Sequence, residues 1–374
     1  MKKRNIILII LLIAVVAAGI YTLKNRRPDD SAGTVVIWYV EDGTLSDGLE
    51  SLAEEYNARL WRTSLPVSLV SFKDEKEMAD AFDSGTPDLV LCSHLRAFDM
   101  YARDNLTDIS EALGKHAPDY PRALSSRSAC IGKSFFPVGS AVPVLLANTK
   151  LYTGAEFDSM EAFCSAATEY AEANGEAFYA VSSYAELFFT CLLNENEEFN
   201  ADFDTCRSGS GKQLYNLLAE AAYVGALSDL SGSDAAQAVY DGTLPCAFIS
   251  SDLLSKDAGS TSVYSVPALS SEGSDSVGTA WGFAVTAGAS RSSRDISAFL
   301  KWLFSQGRDT KLALQECLVP SQGGSTITVN ATLRYLIKLG TNSVIALPLP
   351  DSEYELNCSD FDSELSSRMI FLSE

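Results

Sequence analysis

The chain has 374 residues, of which 47% are hydrophobic and 21% charged, a composition that excludes a largely disordered protein and allows two domains. It holds 49 acidic residues against 28 basic ones, and six of the basic ones precede residue 28, so the remaining chain carries 22 basic against 49 acidic residues, a net charge of −27. Such a body repels nucleic acid and anionic lipid, so neither is expected as a partner of the folded part. The two histidines, His94 and His116, are far apart in sequence, which argues against a histidine-based zinc site. No metal and no cofactor are therefore expected.

The first 27 residues have the pattern of an export segment. A basic start is followed by an uncharged run, Ile6–Leu23, that as a helix would span about 27 Å of a hydrocarbon core ~30 Å thick. The small residues Val16–Ala18 favour a cleaved signal peptide, whereas the Leu/Ile-rich length and the basic cluster after it favour an N-terminal membrane anchor. Residues 28–33 read as a linker. The sequence therefore predicts an exported protein at the outer face of the cytoplasmic membrane, anchored by a transmembrane helix at residues 6–23 or released after cleavage.

The eight cysteines show no CxxC motif and no regular spacing. Most of them lie in apolar runs, which predicts small buried side chains rather than a disulfide framework. Cys191 and Cys206 flank an acidic loop and are the one pair for which a disulfide is considered.

Residues 34–102 alternate between strand and helix patterns. Short apolar runs at Val35–Val40, Val67–Phe72 and Asp88–Cys92 predict buried strands, and the segments after each show apolar residues at helical spacing. A β-α-β-α-β order predicts parallel strands. Ligands of such sheets bind beyond the carboxyl ends of the strands, here at residues 39–42, 72–74 and 92–96.

The pattern continues to residue 339 with further strands and helices. Asp158 and Glu161 are spaced as a capping box for a helix over 159–174, which Gly175 would end. Residues 345–350 have no clear assignment. The other predicted strands are 134–138, 141–147, 178–181, 246–249, 263–266 and 281–285, and the other predicted helices are 184–193, 213–224, 296–303, 309–317 and 333–339.

The sequence lacks several common catalytic motifs. The sequence has no GxSxG elbow and no GxGxxG after a strand, and Ser210-Gly211-Lys212 lacks the upstream glycine that a P-loop needs. The chain is therefore not expected to be an enzyme, although an exported hydrolase with two opposed carboxylates stays open because acidic residues are abundant.

A series of short segments, each weak alone, follows in a fixed order and spacing over roughly residues 34 to 320. In that order they resemble the maltose-type extracellular solute-binding proteins of ABC transporters. The segments are Val35–Tyr39, Tyr56–Ala58, Gly85–Val90, Asn105–Ile109, Phe136–Val138, Ala147–Tyr152, Met160–Phe163, Ala238–Ser250, Tyr264–Pro267, Trp281–Val285 and Leu318–Pro320.

The resemblance implies an α/β, two-lobe periplasmic-binding-protein-like fold of type II with hinge strands, crossed near Pro143 and again near Val266. Lobe 1 would hold residues 34–143 and 266–320, and lobe 2 residues 144–265 and 321–374. Such a protein closes on a small polar solute, with a carbohydrate or polyol favoured, and delivers it to ABC permease subunits without covalent chemistry. It is expected to be a monomer whose membrane contact runs through the N-terminal segment.

Candidate ligand-binding residues lie at the predicted strand ends and at the crossing. Arg96 and His94 resemble a polar pair of the family, and Trp281 is a candidate aromatic platform. The competing interpretations are solvent-exposed bases for His94 and Arg96 and a place in the core for Trp281. The full set is Trp38, Tyr39, Glu41, Asp42, Ser93, His94, Arg96, Ser140, Tyr184 and Trp281.

The sequence departs from the family pattern in lobe 2. Ser250, Ser251 and Asp252 stand where sugar-binding members often carry an aromatic residue. This departure disfavours a long oligosaccharide. It also leaves open a ligand-sensing ectodomain for a membrane partner and a degenerate member that has lost ligand binding.

Overall fold

The computed structural model describes most of the chain from residue 33 onward. No helix in this part is long and apolar enough to span a membrane. The predicted export segment and linker lie outside the described residues. The described ranges are 33–41, 43–59, 64–118, 122–123, 131–154, 156–193, 209–255, 259–269, 275–322, 331–339, 344–346 and 354–373.

Helices and strands alternate along the described chain. The strands are β1 (Val35–Val40), β2 (Val67–Phe72), β3 (Leu89–Ser93), β4 (Arg122–Ala123), β5 (Phe135–Ala141), β6 (Pro143–Asn148), β7 (Tyr179–Val181), β8 (Cys246–Ser250), β9 (Thr261–Tyr264), β10 (Ser276–Val285), β11 (Val319–Pro320) and β12 (Val344–Ala346). The helices are α1 (Ser46–Ala58), α2 (Glu75–Ala81), α3 (His94–Ala102), α4 (Ser110–Leu113), α5 (Met160–Asn174), α6 (Tyr184–Leu193), α7 (Gly209–Tyr223), α8 (Gly232–Asp241), α9 (Ser293–Leu303), α10 (Arg308–Gln315), α11 (Ala331–Leu339) and α12 (Tyr354–Ser373).

The larger sheet has the strand order β11-β5-β10-β3-β1-β2, with β12 beside β10 and β4 beside β12. β1 pairs in parallel with both β2 and β3, which confirms the predicted parallel β-α-β-α-β unit. A buried carboxylate fixes this unit, because Asp88 accepts hydrogen bonds from the Val36 and Arg291 amides at 2.9 and 3.0 Å. Asn57 ties the end of α1 to β2 through two 2.8 Å hydrogen bonds with the Val67 backbone.

The smaller sheet has the order β7-β8-β6-β9. Its core is aromatic: the Phe163 ring on α5 packs against Phe178, Tyr179 and Phe248 at centroid distances of 5.7, 5.2 and 4.8 Å. Such ring pairs stabilise a core beyond the area that they bury. The smaller sheet and its helices therefore form a second lobe with its own core.

The chain passes between the two sheets through one buried residue. β5 ends at Ala141 in the larger sheet and β6 begins at Pro143 in the smaller one, with Val142 wholly buried between them. β10 also bridges the lobes, because Val277 near its start lies in the core of the second lobe and Phe283 near its end lies in that of the first. Both crossings fit a hinge, and the exact lobe boundaries stay a prediction.

Several local expectations need correction. The cap of α5 is Ser159, whose hydroxyl accepts the Ala162 amide at 3.2 Å, and not Asp158, because Ser159 is the residue directly before the first helical turn. Gly175 ends this helix in the left-handed conformation, as predicted. The sequence prediction missed the helices α4, α8 and α12 and the short strands β4, β11 and β12.

Cys92, Cys164, Cys191, Cys246 and Cys317 are buried, in agreement with the sequence prediction. Cys191 donates a 3.3 Å hydrogen bond to the Pro267 carbonyl, next to the predicted return crossing. Its considered partner Cys206 lies outside the described residues, so that pairing stays a prediction.

Gly282 lies where β10 and β5 approach most closely. The pairing register shifts between Trp281 and Gly282, and a Cβ at Gly282 would overlap the Phe136 carbonyl oxygen and lie 2.7 Å from the Pro137 Cα. Only glycine fits this contact, since the obstructing atoms are backbone.

We therefore expect Gly282→Ala to lower the free energy of unfolding by about 2 to 3 kcal/mol, because the two strands must separate to admit the methyl group. Urea unfolding measures this change. Thr279→Ala, at a partly exposed position of the same strand, is the control and should change stability by less than about 1 kcal/mol. Equal stability of Gly282→Ala and wild type would contradict the close approach.

Candidate functional site

The carboxyl edges of the two sheets meet at the crossing. In the larger sheet β1, β2, β3 and β5 run in the same direction, and the chain leaves β5 at their carboxyl ends. In the smaller sheet β6 is antiparallel to β8, which is parallel to β7, so β6 begins at the carboxyl ends of both. Strand ends of both lobes therefore flank Val142, and we call this region the crossing edge.

Three predicted residues share the first-lobe side of the crossing edge. Trp281 on β10 is paired with Ser93 at the end of β3, and the neighbouring Ala280 is paired with Ser140 on β5. Trp281 is partly exposed, whereas Ser93 and Ser140 are buried. The Ser93 hydroxyl caps α3 by accepting the Arg96 amide at 3.2 Å. Of these side chains, Trp281 has surface to offer a ligand.

Arg96 places a cation on the same side. It lies in the first turn of α3, its side chain is 18% exposed, and its one ion pair among the described residues is a 3.9 Å contact with Asp99. Its buried Nε has no hydrogen-bond partner in the described part of the chain. The guanidinium therefore keeps donors for a polar ligand in a strongly acidic protein.

The two aromatic residues at the end of β1 are both buried. Trp38 is buried against Phe72 and Phe82, at centroid distances of 4.9 and 5.0 Å. Tyr39 is also buried, and its hydroxyl donates a 2.9 Å hydrogen bond to Glu50; burial and this carboxylate raise the pKa of Tyr39 to about 12. Both rings thus have packing roles in this structure.

Glu41 directly follows β1, and its side chain is exposed. Its carboxylate accepts a 2.6 Å hydrogen bond from the Ser71 hydroxyl on β2. Its neighbour Asp42 lies outside the described residues. Glu41 is therefore the acidic candidate that the structure leaves accessible at this strand end.

His94 is wholly buried at the start of α3. Its Nδ1 accepts the Ala280 amide of β10 at 3.0 Å. This bond attaches α3 to the strand residue next to Trp281. In this structure His94 supports the crossing edge from behind and has no surface for a ligand.

The second-lobe side is formed by the first turn of α6, directly after β7. Tyr184 opens this helix and is buried, and Glu186 in the same turn is partly exposed. The carboxylate of Asp362 reaches this turn from α12 and accepts the Ala185 amide at 2.7 Å. Burial, then the negative charges of Asp252 and Asp362, raise the pKa of Glu186 to about 7.

Sequence reasoning did not name Glu186 and Asp362 as residues of this side, and it named the buried Ser251 only as a departure from the family pattern. Acidic residues are so frequent in the chain that no spacing singles out these two, and the serine has no distinctive motif.

The described residues contain no group of three or more His, Cys, Asp or Glu side chains placed to hold a metal ion. The ten candidate ligand residues stay predictions, and among those that the structure describes Glu41, Arg96 and Trp281 are accessible.

The fold is shared with sugar-binding proteins. The cyclic α-maltosyl-1,6-maltose binding protein from Arthrobacter globiformis superposes with a TM-score of 0.71 at 15% identity, over 91% of this chain and 95% of that one. The sugar-binding protein MalE from Xanthomonas citri gives 0.70 at 11% identity, with coverages of 91% and 95%. An ABC substrate-binding protein from Listeria monocytogenes in complex with cycloalternan gives 0.67 at 13% identity, with coverages of 90% and 93%.

No protein-family model and no curated protein sequence matches the chain. The structural likeness shows the fold: this is an α/β, two-lobe, periplasmic-binding-protein-like chain, as the sequence resemblance implied. The likeness extends over nearly the whole length of the compared chains.

The raised pKa of Glu186 predicts a pH-dependent stability. The folded-state pKa of about 7 lies above the ordinary 4.5. Ionisation of this carboxyl therefore lowers the free energy of unfolding as the pH rises from 4.5 to 7. We expect Glu186→Gln to be more stable than wild type at pH 8 by about 1 to 2 kcal/mol, after solvent screening, and no more stable at pH 4.5.

Thermal unfolding at the two pH values measures this difference. Glu161→Gln, an exposed glutamate in the first turn of α5, is the control and should shift stability equally at both. A Glu186→Gln effect independent of pH would show that the glutamate is not held in a desolvated, acidic environment.

Proposed function

We propose that the chain is an exported solute-binding protein that captures a small polar solute, with a carbohydrate favoured, between its lobes and delivers it to an ABC importer. One observation carries the proposal: the carboxyl edges of both sheets converge on a buried crossing, in a fold shared with proteins described as binding maltosyl-maltose, maltose and cycloalternan. Open α/β sheets bind ligands at that edge.

The accessible side chains suit a polyhydroxylated ligand. Trp281 supplies an aromatic ring, and Arg96 and Glu41 supply a donor and an acceptor for hydroxyl groups. On the second-lobe side the partly exposed Glu186 is the neighbouring polar group, and the aromatic ring in the same turn, Tyr184, is buried. A ligand with one stacked ring and several hydroxyls fits this set better than a long oligosaccharide.

The proposal includes closure without covalent chemistry. Val142 and β10 both connect the lobes, so a ligand that contacts both sides favours the closed state. His94 accepts a structural hydrogen bond from the Ala280 amide, which removes it as a general base in this structure.

The proposal also includes delivery to a permease, and anchoring by residues 6–23 or release after cleavage. These parts rest on the sequence pattern.

Thermal unfolding of residues 28–374 against maltose, maltotriose, galactose, acarbose, cycloalternan, polyols and amino acids tests the capture step. A ligand at 100 times its Kd adds ~2.7 kcal/mol, which raises the midpoint by a few degrees. One sugar that does so and is recovered unchanged would support a binding protein. A cleaved sugar would indicate a hydrolase, and a flat panel would favour a sensing or degenerate member.

Two substitutions test where the ligand binds. We expect Trp281→Ala and Arg96→Ala each to weaken the affinity for the identified sugar by about tenfold, since each removes a stacking or charge-assisted contact at the crossing edge. Isothermal titration measures Kd.

The matched controls are Tyr223→Ala, a 75% exposed aromatic on α7, and Arg103→Ala, an exposed arginine directly after α3. They should leave Kd unchanged. Unaltered affinity in both test variants would place the ligand elsewhere.

A further inference from the structure

We infer that Asp362, on the C-terminal helix α12, is a positioning residue that holds the first turn of α6 at the crossing edge. Its consequence for ligand binding rests on the proposed function. The bonds that it makes are visible in the structure without any ligand.

Asp362 acts as a helix cap supplied from far along the chain. Its Oδ1 accepts the Ala185 amide at 2.7 Å, and its Oδ2 accepts the Ser183 hydroxyl at 3.0 Å. The Ser183 oxygen in turn accepts the Glu186 amide at 3.2 Å. The first amides of a helix have no partner within the helix, and a cap is usually supplied by the residue before it. Here Ser183 shares that task with a carboxylate 177 residues beyond Ala185.

α12 is well anchored to deliver this carboxylate. Phe361, Leu365 and Met369 are buried in the second-lobe core, and the Phe361 ring packs edge-on against Phe188 of α6 at 5.5 Å. The helix therefore fixes Asp362 through its neighbours on the buried face. A carboxylate at a helix N-terminus also faces the positive end of the helix dipole.

The turn that Asp362 caps carries Tyr184 and Glu186 and follows the carboxyl end of β7 directly. Burial raises the pKa of Asp362, whereas its hydrogen bonds from Ala185, Ser183 and Tyr184 lower it. Asp362 and Asp252 each lie close enough to Glu186 to raise its pKa. Without the cap, the amides of Tyr184 and Ala185 would lose their acceptor, which favours fraying of this turn.

Hydrogen exchange tests the positioning role with no ligand. We expect Asp362→Ala to raise the amide exchange of residues 184–187 about tenfold relative to the rest of α6, and Asp362→Asn, which retains one acceptor oxygen, to restore part of the protection. Asp360→Ala, at an exposed position of the same helix, is the control and should leave exchange unchanged. Unchanged exchange in Asp362→Ala overturns the inference. If that variant does not fold, faster exchange confined to this turn in Asp362→Asn supports it, and unchanged exchange overturns it.

Titration with the sugar found for the wild-type protein, starting from maltose, tests the link to binding. We expect Asp362→Ala to weaken affinity about tenfold, Asp362→Asn less, and Asp360→Ala not at all. A loosened turn with unchanged affinity would overturn the link to the ligand. If the wild-type protein binds no sugar, the proposed function fails, and the exchange result still decides whether Asp362 holds α6.

Discussion

A buried passage of backbone between two sheets is the constraint on which this structure depends. Val142 is wholly buried, so its amide and carbonyl must be paired inside the protein. Ser251 pairs both: its hydroxyl accepts the Val142 amide at 3.2 Å, and its own amide donates to the Val142 carbonyl at 2.8 Å. One serine after β8 thereby satisfies the segment that joins the lobes.

The same passage determines which side chains can share a site. Because β5 delivers the chain at the carboxyl edge of one sheet and β6 begins at that of the other, the loops and helix starts of both lobes face a common region. Behind it, His94 and the glycine contact at Gly282 hold β10 against α3 and β5. These contacts hold the first-lobe side of the crossing edge in place.

Much of the fold is readable from the sequence, and the site is less so. The alternation of apolar runs and helical spacing located β1 to α3, because long periodic segments record burial directly. The helix α12 was missed because its apolar residues are spread around the helix. The helix α8 was missed because its buried face consists mainly of alanines, which give a weak apolar signal. The sequence does not distinguish the accessible ring of Trp281 from the buried rings of Trp38, Tyr39 and Tyr184. A position near the end of a strand or the start of a helix does not reveal which ring packs inward. Asp362 is a partner of α6 through tertiary contact alone.

The distance along the chain between α6 and its cap has a consequence for the order of folding. The helix that begins at Tyr184 finds its capping carboxylate at residue 362, near the end of the polypeptide. Contacts of such long sequence separation form late, since the intervening loop must close first. A nascent chain would therefore complete this wall of the second lobe only after α12 has been synthesised, and until then the first turn of α6 would remain open to exchange with water.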